Sequence, residues 1–532
     1  MRIRRGAKPS GSGRSGGLGR RRRRSSGGSL FPTGGGSTPA PPGGGGGLGG
    51  GLGGLPIGGG CGPKAGGGSL IMILVVVVVF VLLSRGCGGI DLGGGGGGGG
   101  IGPRTDLIAT EPVTRDDMSA TERETMDERA LDARDDVNEY WEAVFFDTWG
   151  TDGYSPPAGG AFPFDPENDS GLSCGQALPN NVLESNAIYC PPDDYITWDS
   201  RFLFPKLTEN FGPAAPAVVM AHEWGHMVQT KAGVSGPTIL KELQADCLAG
   251  AWMNSIQADE SERVPPFTDD ELDGSVAGFL LLRDPPGLDP LAQGAHGSGF
   301  DRVGAYEDGL VNGPTACAAY NEQNVLARVA DLEFAAEDRG TGGNLPYQEA
   351  LDVTLGGLSG FWAPEIQQEF GDQLGLDEYQ SSRGGRPSCP TGSQEEGGPI
   401  FWCSETATIS FDQDTLAKVH ADIGDFALAL LFAREYGQAV LDIDRAQGTA
   451  TELDIASHCL AGVWARAVYE GNLQIGVDTD GTPLFVELSA GDLDEALAVM
   501  LRYRNPGFDA SLFERTDGFR DGFMEGESAC GR

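Results

Sequence analysis

No Asp or Glu occurs before Asp91 in this 532-residue chain, so its early basic side chains, Arg2, Arg4, Arg5, Lys8, Arg14, Arg20 to Arg24, Lys64 and Arg85, have no acidic neighbours in that stretch. Beyond Arg85 the shortage changes sign: 25 of the 37 Lys and Arg stand against all 76 acids, a net of −51. A surface of that sign repels nucleic acid and anionic lipid, and no nucleic-acid partner is expected. Histidine is scarce too, with five in the chain, so any two at ligand spacing stand out. Long strand-like stretches are missing, whereas GDFALALLFAREY and GDLDEALAVMLRYRN carry helical periodicity; the fold class expected is mainly α with short strands (α+β). With 86 glycines and 33 prolines, a good part of the chain cannot be packed core.

What is present begins with one hydrophobic run. SLIMILVVVVVFVLLS (69–84) is uncharged and extends to about 20 residues between Lys64 and Arg85, enough to span a bilayer. A cleaved signal peptide is the competing reading, but the stretch before it is far too long for a signal n-region. The basic residues precede the run, so the positive-inside rule predicts a single-pass protein of the cell (plasma) membrane with a cytoplasmic N-terminus and an extracytoplasmic body. Residues 1–66 read as a disordered Gly/Arg-rich tail, 67–85 as a transmembrane helix and 86–120 as a flexible linker.

Compared with itself, the body shows a repeat. YCPPDDYITWD around Cys190 matches WCSETATISFD around Cys403, with nine positions from each Cys to the closing Asp199 or Asp412. AHEWGHMV (221–228) matches AREYGQAV (433–440), and QADCLAGAW matches IASHCLAGVW. Four cysteines fall in matching places of each copy, Cys174, Cys190, Cys247 and Cys317 against Cys389, Cys403, Cys459 and Cys530, which in an exported body suggests two disulfides per copy. Three pairings are possible in each; Cys174 with Cys190 and Cys247 with Cys317, and their equivalents, are preferred. Buried free thiols at Cys247 and Cys459 are the alternative. Cys61 and Cys87 stay unassigned.

APAVVMAHEWGHMVQTKAG has Pro213 and Pro216 ahead of it and Gly233 behind, the bounds of a helix. On that helix His222 and His226 share a face one turn apart, the spacing at which two imidazoles bind one zinc ion with Glu223 beside it as general base. A second helical stretch, ILKELQADCLAGAWMNSI, supplies Glu242 as a third ligand and Asp246, four residues on, as acceptor for the far nitrogen of a ligand histidine. Three protein ligands leave a position for water, as hydrolysis requires. The plainer reading is a pair of surface histidines and a solvated acidic edge, but the apolar flanks bury this helix, and buried histidines and acids need a partner.

HEWGHMVQ followed by ELQADCLAGAW, after the Cys pair and YCPPDDYITWD, resembles the bacterial putative neutral zinc metallopeptidase family, with a metal site like that of the thermolysin-type gluzincins. The resemblance implies Zn²⁺ held by His222, His226 and Glu242, Glu223 as base, Asp246 behind the ligands, and a peptide or protein substrate. It covers 137–317 well and 358–530 in degenerate form, and Trp224 and Met227 stand where other residues are commoner. The expectation is two tandem zincin-like domains: a zinc metallopeptidase over 121–323, a linker over 324–339, and a repeat over 340–532 that lacks the ligands, since Arg434, Gln438, Asp454 and His458 face His222, His226, Glu242 and Asp246 while Glu223 persists as Glu435. His296 faces Asp509 and disappears with the ligands, which marks it as a candidate donor to the oxyanion; a loop histidine with no such role is the equal alternative. Against hydrolysis of peptides stand a catalytically silent cell-surface binding or scaffold protein and hydrolysis of a non-peptide amide.

Overall fold

The computed structural model describes residues 1–6, 110–292, 294–330, 332–336, 338–371, 374–389, 398–504 and 508–531. Its first element is a short strand, β1 (Arg2–Arg5). Ser119 caps α1 (Ala120–Trp149), and Glu122 returns the bond to the cap backbone. Three strands follow: β2 (Gly160–Phe164), β3 (Ala187–Cys190) and β4 (Tyr195–Asp199). Apolar β4 is buried along its whole length because it is central, parallel to β2 on one side and antiparallel to β3 on the other. Then come α2 (Leu203–Phe211), α3 (Ala214–Ala232), α4 (Thr238–Gln257), α5 (Asp269–Leu281) and α6 (Gly299–Asn312).

The same series then recurs. After α7 (Tyr347–Phe361) and α8 (Ala363–Phe370), β5 (Gly375–Tyr379), β6 (Ile400–Cys403) and β7 (Thr408–Asp412) form a sheet of order β5-β7-β6 with the parallel and antiparallel pairings of the first. The helices α9 (Gln413–Asp422), α10 (Asp425–Ile443) and α11 (Ala450–Tyr469) lead to the hairpin β8 (Leu473–Val477) and β9 (Pro483–Glu487), and α12 (Asp492–Arg502) and α13 (Leu512–Glu525) follow. Helices α3 and α10 are both 19 residues long, α4 and α11 both 20, and α6 and α13 both 14. The Asp that closes each matched sequence has a structural role: Asp199 accepts from the backbone N–H of Ser185, Arg201 and Phe202, and Asp412 from those of Ser381 and Asp414.

Glycines set how closely the helices cross. A Cβ on Gly309 of α6 would lie 1.8 Å from the Cys247 carbonyl oxygen on α4, and one on Gly522 of α13 would lie 1.8 Å from that of Cys459 on α11. These helix pairs touch backbone to backbone, and the Cys247–Cys317 and Cys459–Cys530 disulfides tie α4 and α11 to the short turns that follow α6 and α13. Cys174–Cys190 and Cys389–Cys403 tie the loops beside the sheets, so all four bridges have the preferred pairing. The two halves share one continuous hydrophobic core. Across it Arg520 stacks on Phe300 at 4.2 Å and pairs with Glu307 at 3.2 Å, while Arg283 pairs with Asp494 at 3.1 Å.

Several expectations need correcting. Residues 1–6 are not part of a disordered tail: β1 pairs antiparallel with β9, Arg2 opposite Glu487 through Arg5 opposite Leu484, because an acidic surface receives its three arginines. The stretch 324–339 is not a free linker, since Val325, Val329 and Ala330 are buried in the core. At the end of 86–120, Met118 is buried as well. The proposed transmembrane helix at 67–85 lies outside the described residues, as do Cys61 and Cys87; among the described residues no helix is long and apolar enough to cross a membrane. The strand pairing of β1 does not support the single-pass topology either. With β1 seated on the body, the N-terminus and the body share one side, and one crossing between them would separate the two.

Candidate metal centre

Helix α3 is buried on nearly every face, so its polar side chains must find partners inside the protein. Gly225 lets it meet α4 directly: a Cβ there would lie 2.9 Å from the Ala245 Cα. At that crossing His222 and His226 stand edge to face, with ring centroids 4.6 Å apart. Glu242 reaches across from α4. Its Oε2 lies 3.4 Å from His222 Nε2, and its Oε1 lies 3.6 Å from His226 Nε2. One donor atom from each of the three side chains falls within 4.8 Å of the others.

The remaining bonds point both imidazole Nε2 atoms into this space. His222 Nδ1 bonds Asp246 Oδ1 at 2.7 Å, and His226 Nδ1 bonds the Gln229 side-chain oxygen at 3.1 Å. Arg302 on α6 then grips Asp246 with both arms of its guanidinium, Nε to Oδ2 at 2.9 Å and a terminal nitrogen to Oδ1 at 2.8 Å. Glu223 accepts the backbone N–H of Tyr189 on edge strand β3 at 2.7 Å.

Charge at the crossing favours a cation. Burial works against a protonated His222, yet Asp246 and Glu242 outweigh it and push the imidazole up to about 10. Burial also raises Glu242 and Asp246, but His226 and His222 hold Glu242 well below its ordinary value, and Arg302 with His222 holds Asp246 down. Glu223 shifts the other way: burial raises it, and the two histidines only partly offset that. The donor set also fits a small divalent ion. Glu242 Oε2 is buried without a hydrogen-bond partner, and the gaps of 3.4 and 3.6 Å match the roughly 3.4 Å between ligands of a tetrahedral ion bound at about 2.1 Å.

His296 sits on the loop before α6, about one third exposed. Asp284 fixes it through the His296 backbone N–H at 2.6 Å and Nδ1 at 3.1 Å. Burial opposes its charged form, and Asp284 together with Glu242 raises its pKa. It is not in the cluster of donors. Sequence reasoning missed the parts Asp284, Arg302 and Gln229 play. In the alignment of the two copies that sets His296 opposite Asp509, Arg302 falls opposite Arg515, the one signal the sequence held for it.

In the second half an arginine stands where the donors converge. Arg434, opposite His222 in the repeat, lies 2.5 Å from Glu435 and 3.0 Å from Asp454. Its guanidinium bridges the two carboxylates that correspond to Glu223 and Glu242. Glu435 persists for a structural reason: it accepts the Trp402 backbone N–H at 2.9 Å, as Glu223 accepts that of Tyr189.

Two histidines and a glutamate converge from neighbouring helices, with a second glutamate beside them. Residues 21–274 match the model of the family described as Putative neutral zinc metallopeptidase. The match ends inside α5 and takes in the whole α3/α4 crossing. Uncharacterized proteins of Mycobacterium tuberculosis and Mycobacterium bovis are each 34% identical to the chain over 134 residues, which is 21% of this chain and 44% of each relative. The chain thus spans less than half the length of the curated relatives it matches. No solved structure matches.

Asp246 tests how the centre is held. Asp246→Asn removes the charge between His222 and Arg302, and the affinity of the three-donor cluster for added zinc is expected to fall about 10- to 100-fold, the usual cost of losing a group that orients a histidine toward a metal. Competition against a chromophoric chelator measures it.

Proposed function

We propose that residues 121–323 form a zinc metallopeptidase domain and that residues 340–532 are a degenerate repeat which binds no metal. One observation carries the reading: His222, His226 and Glu242 aim donor atoms into one buried space, where Glu242 Oε2 has no hydrogen-bond partner. These three would hold the ion, and zinc bound there supplies Lewis-acid activation of water and of the scissile carbonyl. Asp246 and Gln229 keep each Nδ1 occupied, so that both Nε2 atoms stay turned toward the ion.

Glu223 takes the proton from the attacking water. Its raised pKa suits a general base, which works best when its own proton affinity is near the working pH. The Tyr189 N–H occupies its Oε2, leaving Oε1 for the proton, which then passes to the leaving amine. His296, held by Asp284 and near Glu242, donates to the developing oxyanion. Within the same reading the substrate is a peptide or protein.

Metal analysis of the purified full chain tests the reading. About one zinc per chain is expected for the wild type, and for His226→Ala a large loss of zinc with the chain still folded. Equal zinc in both proteins would remove the foundation of the enzyme reading. Zinc retention without turnover of any peptide would leave a silent binding protein.

A further inference from the structure

Three acids of the second half meet at a point far along the sequence from the histidine pair. Asp425 is the first residue of α10 and Asp492 the first of α12, with Glu495 one turn later. All three are buried, and one oxygen of each falls within 4.8 Å of the others. Carboxylates at helix N-termini gain from the helix dipole, but three together in a dry interior need a positive partner.

The partner is the chain's own α-amine. The Met1 nitrogen lies 2.7 Å from both Asp425 oxygens, 3.0 Å from Asp492 Oδ2 and 3.0 Å from the Gly343 carbonyl oxygen. It is fully buried, and Met1 as a whole is 1% exposed. Backbone donors fill the rest of the pocket: Leu345 N–H on Asp425, Ser489 N–H on Asp492 and Phe426 N–H on Glu495. Residues 2–5 then run as a strand along β9. Arg2 pairs with Asp338 at 3.4 Å and Glu487 at 3.1 Å, Arg4 pairs with Glu487 and lies over the Phe485 ring at 4.7 Å, and Arg5 pairs with Asp478. Among the described residues the first half shows no such cluster: in the alignment of the two helix motifs, Pro213 stands where Asp425 does.

We propose that the second half is a receptor for a peptide N-terminus, a buried pocket of three carboxylates selective for a free primary α-amine and continued by a strand groove that reads basic residues, filled in this structure by Met1 to Gly6. The half without the metal ligands thus has a peptide-binding function of its own. The site is separate from the α3/α4 crossing and stands whether or not that crossing binds zinc.

The test uses the full chain carrying a removable leader ahead of Met1, cut by a protease that regenerates Met1. A longer chain cannot place a primary amine in the pocket, so the uncut protein is expected to melt at a lower temperature and to regain the difference on cutting. The uncut protein is also expected to bind the peptide Met-Arg-Ile-Arg-Arg-Gly, and to bind its N-acetylated form on the order of a hundredfold more weakly, the scale of breaking a buried ion pair. Asp425→Asn in the uncut protein should abolish that preference. Identical melting before and after cutting, or equal binding of the two peptides, would overturn the proposal.

Discussion

Replacing Glu223 with Gln is expected to lower peptide hydrolysis by about 10²- to 10⁴-fold, the usual worth of a positioned general base, while leaving the zinc content unchanged. Gln is the informative substitution. Its side-chain oxygen can still accept the Tyr189 N–H that Glu223 Oε2 accepts at 2.7 Å, so the edge strand stays anchored and the variant loses only proton affinity. Ala would instead strand that buried N–H and mix a folding defect with the chemical one. Turnover of a quenched peptide, read beside zinc content and melting temperature, checks the result. Undiminished turnover by a zinc-loaded Glu223→Gln chain would rule out the assigned base.

In the second half, Arg434→Ala is expected to destabilise the fold by about 3–5 kcal/mol, the cost of leaving buried charges without their counter-charge. Glu435 is 0% exposed, Asp454 2% and Arg434 3%, so solvent does little to screen the loss. Burial works to raise the Asp454 carboxyl, and His458 and Arg434 outweigh it, holding it below its ordinary value. His458 is itself pushed down to about 4, first by burial, and is neutral at pH 7, which leaves Arg434 as the permanent charge. A depressed carboxyl contributes stability that is present above its unfolded pKa of about 4 and is lost as pH falls. Without Arg434 burial at Asp454 is opposed mainly by His458, so the carboxyl rises and its ionised form contributes less stability. The difference between wild type and variant should therefore be largest near neutral pH and shrink toward pH 4, as urea melts across that range would record. A constant difference would mean that Arg434 acts by packing alone.

The same observation explains what the repeat kept and what it lost. A guanidinium between Glu435 and Asp454 does the electrostatic work that an ion would do between Glu223 and Glu242. Glu435 survives because it still carries the Trp402 N–H.

Much of the candidate site was legible because its signals are local. The four-residue spacing of His222 and His226 defines a helix face, and Pro213 and Gly233 mark the helix ends. Gly233 indeed closes α3 with φ of 73°, a backbone angle at which glycine is unstrained. The matched cysteines marked four equivalent positions in each copy, and the structure decided among their three possible pairings. Asp284 and Arg302 were not legible as partners, since each acts on a residue 12 or 56 positions away across loops whose course no local pattern sets. Residues 1–6 misled for a related reason: a short basic segment among glycines has too little apolar surface to predict order by itself, and it is ordered by carboxylates more than 300 positions away.

By itself the sequence determined the helix face that carries His222 and His226, the bounds of that helix, the repeat, the matched cysteine positions and the residue types able to bind a metal, all of which follow from spacing along the chain. Only the tertiary structure decided that Glu242 meets the two imidazoles, that Arg434 occupies the equivalent place in the second half, and that Met1 is buried among three acids. Those outcomes depend on backbones crossing in contact at Gly225, Gly309 and Gly522 and on burial that forces each charge to find an opposite one, and neither distance nor dielectric is written in residue order.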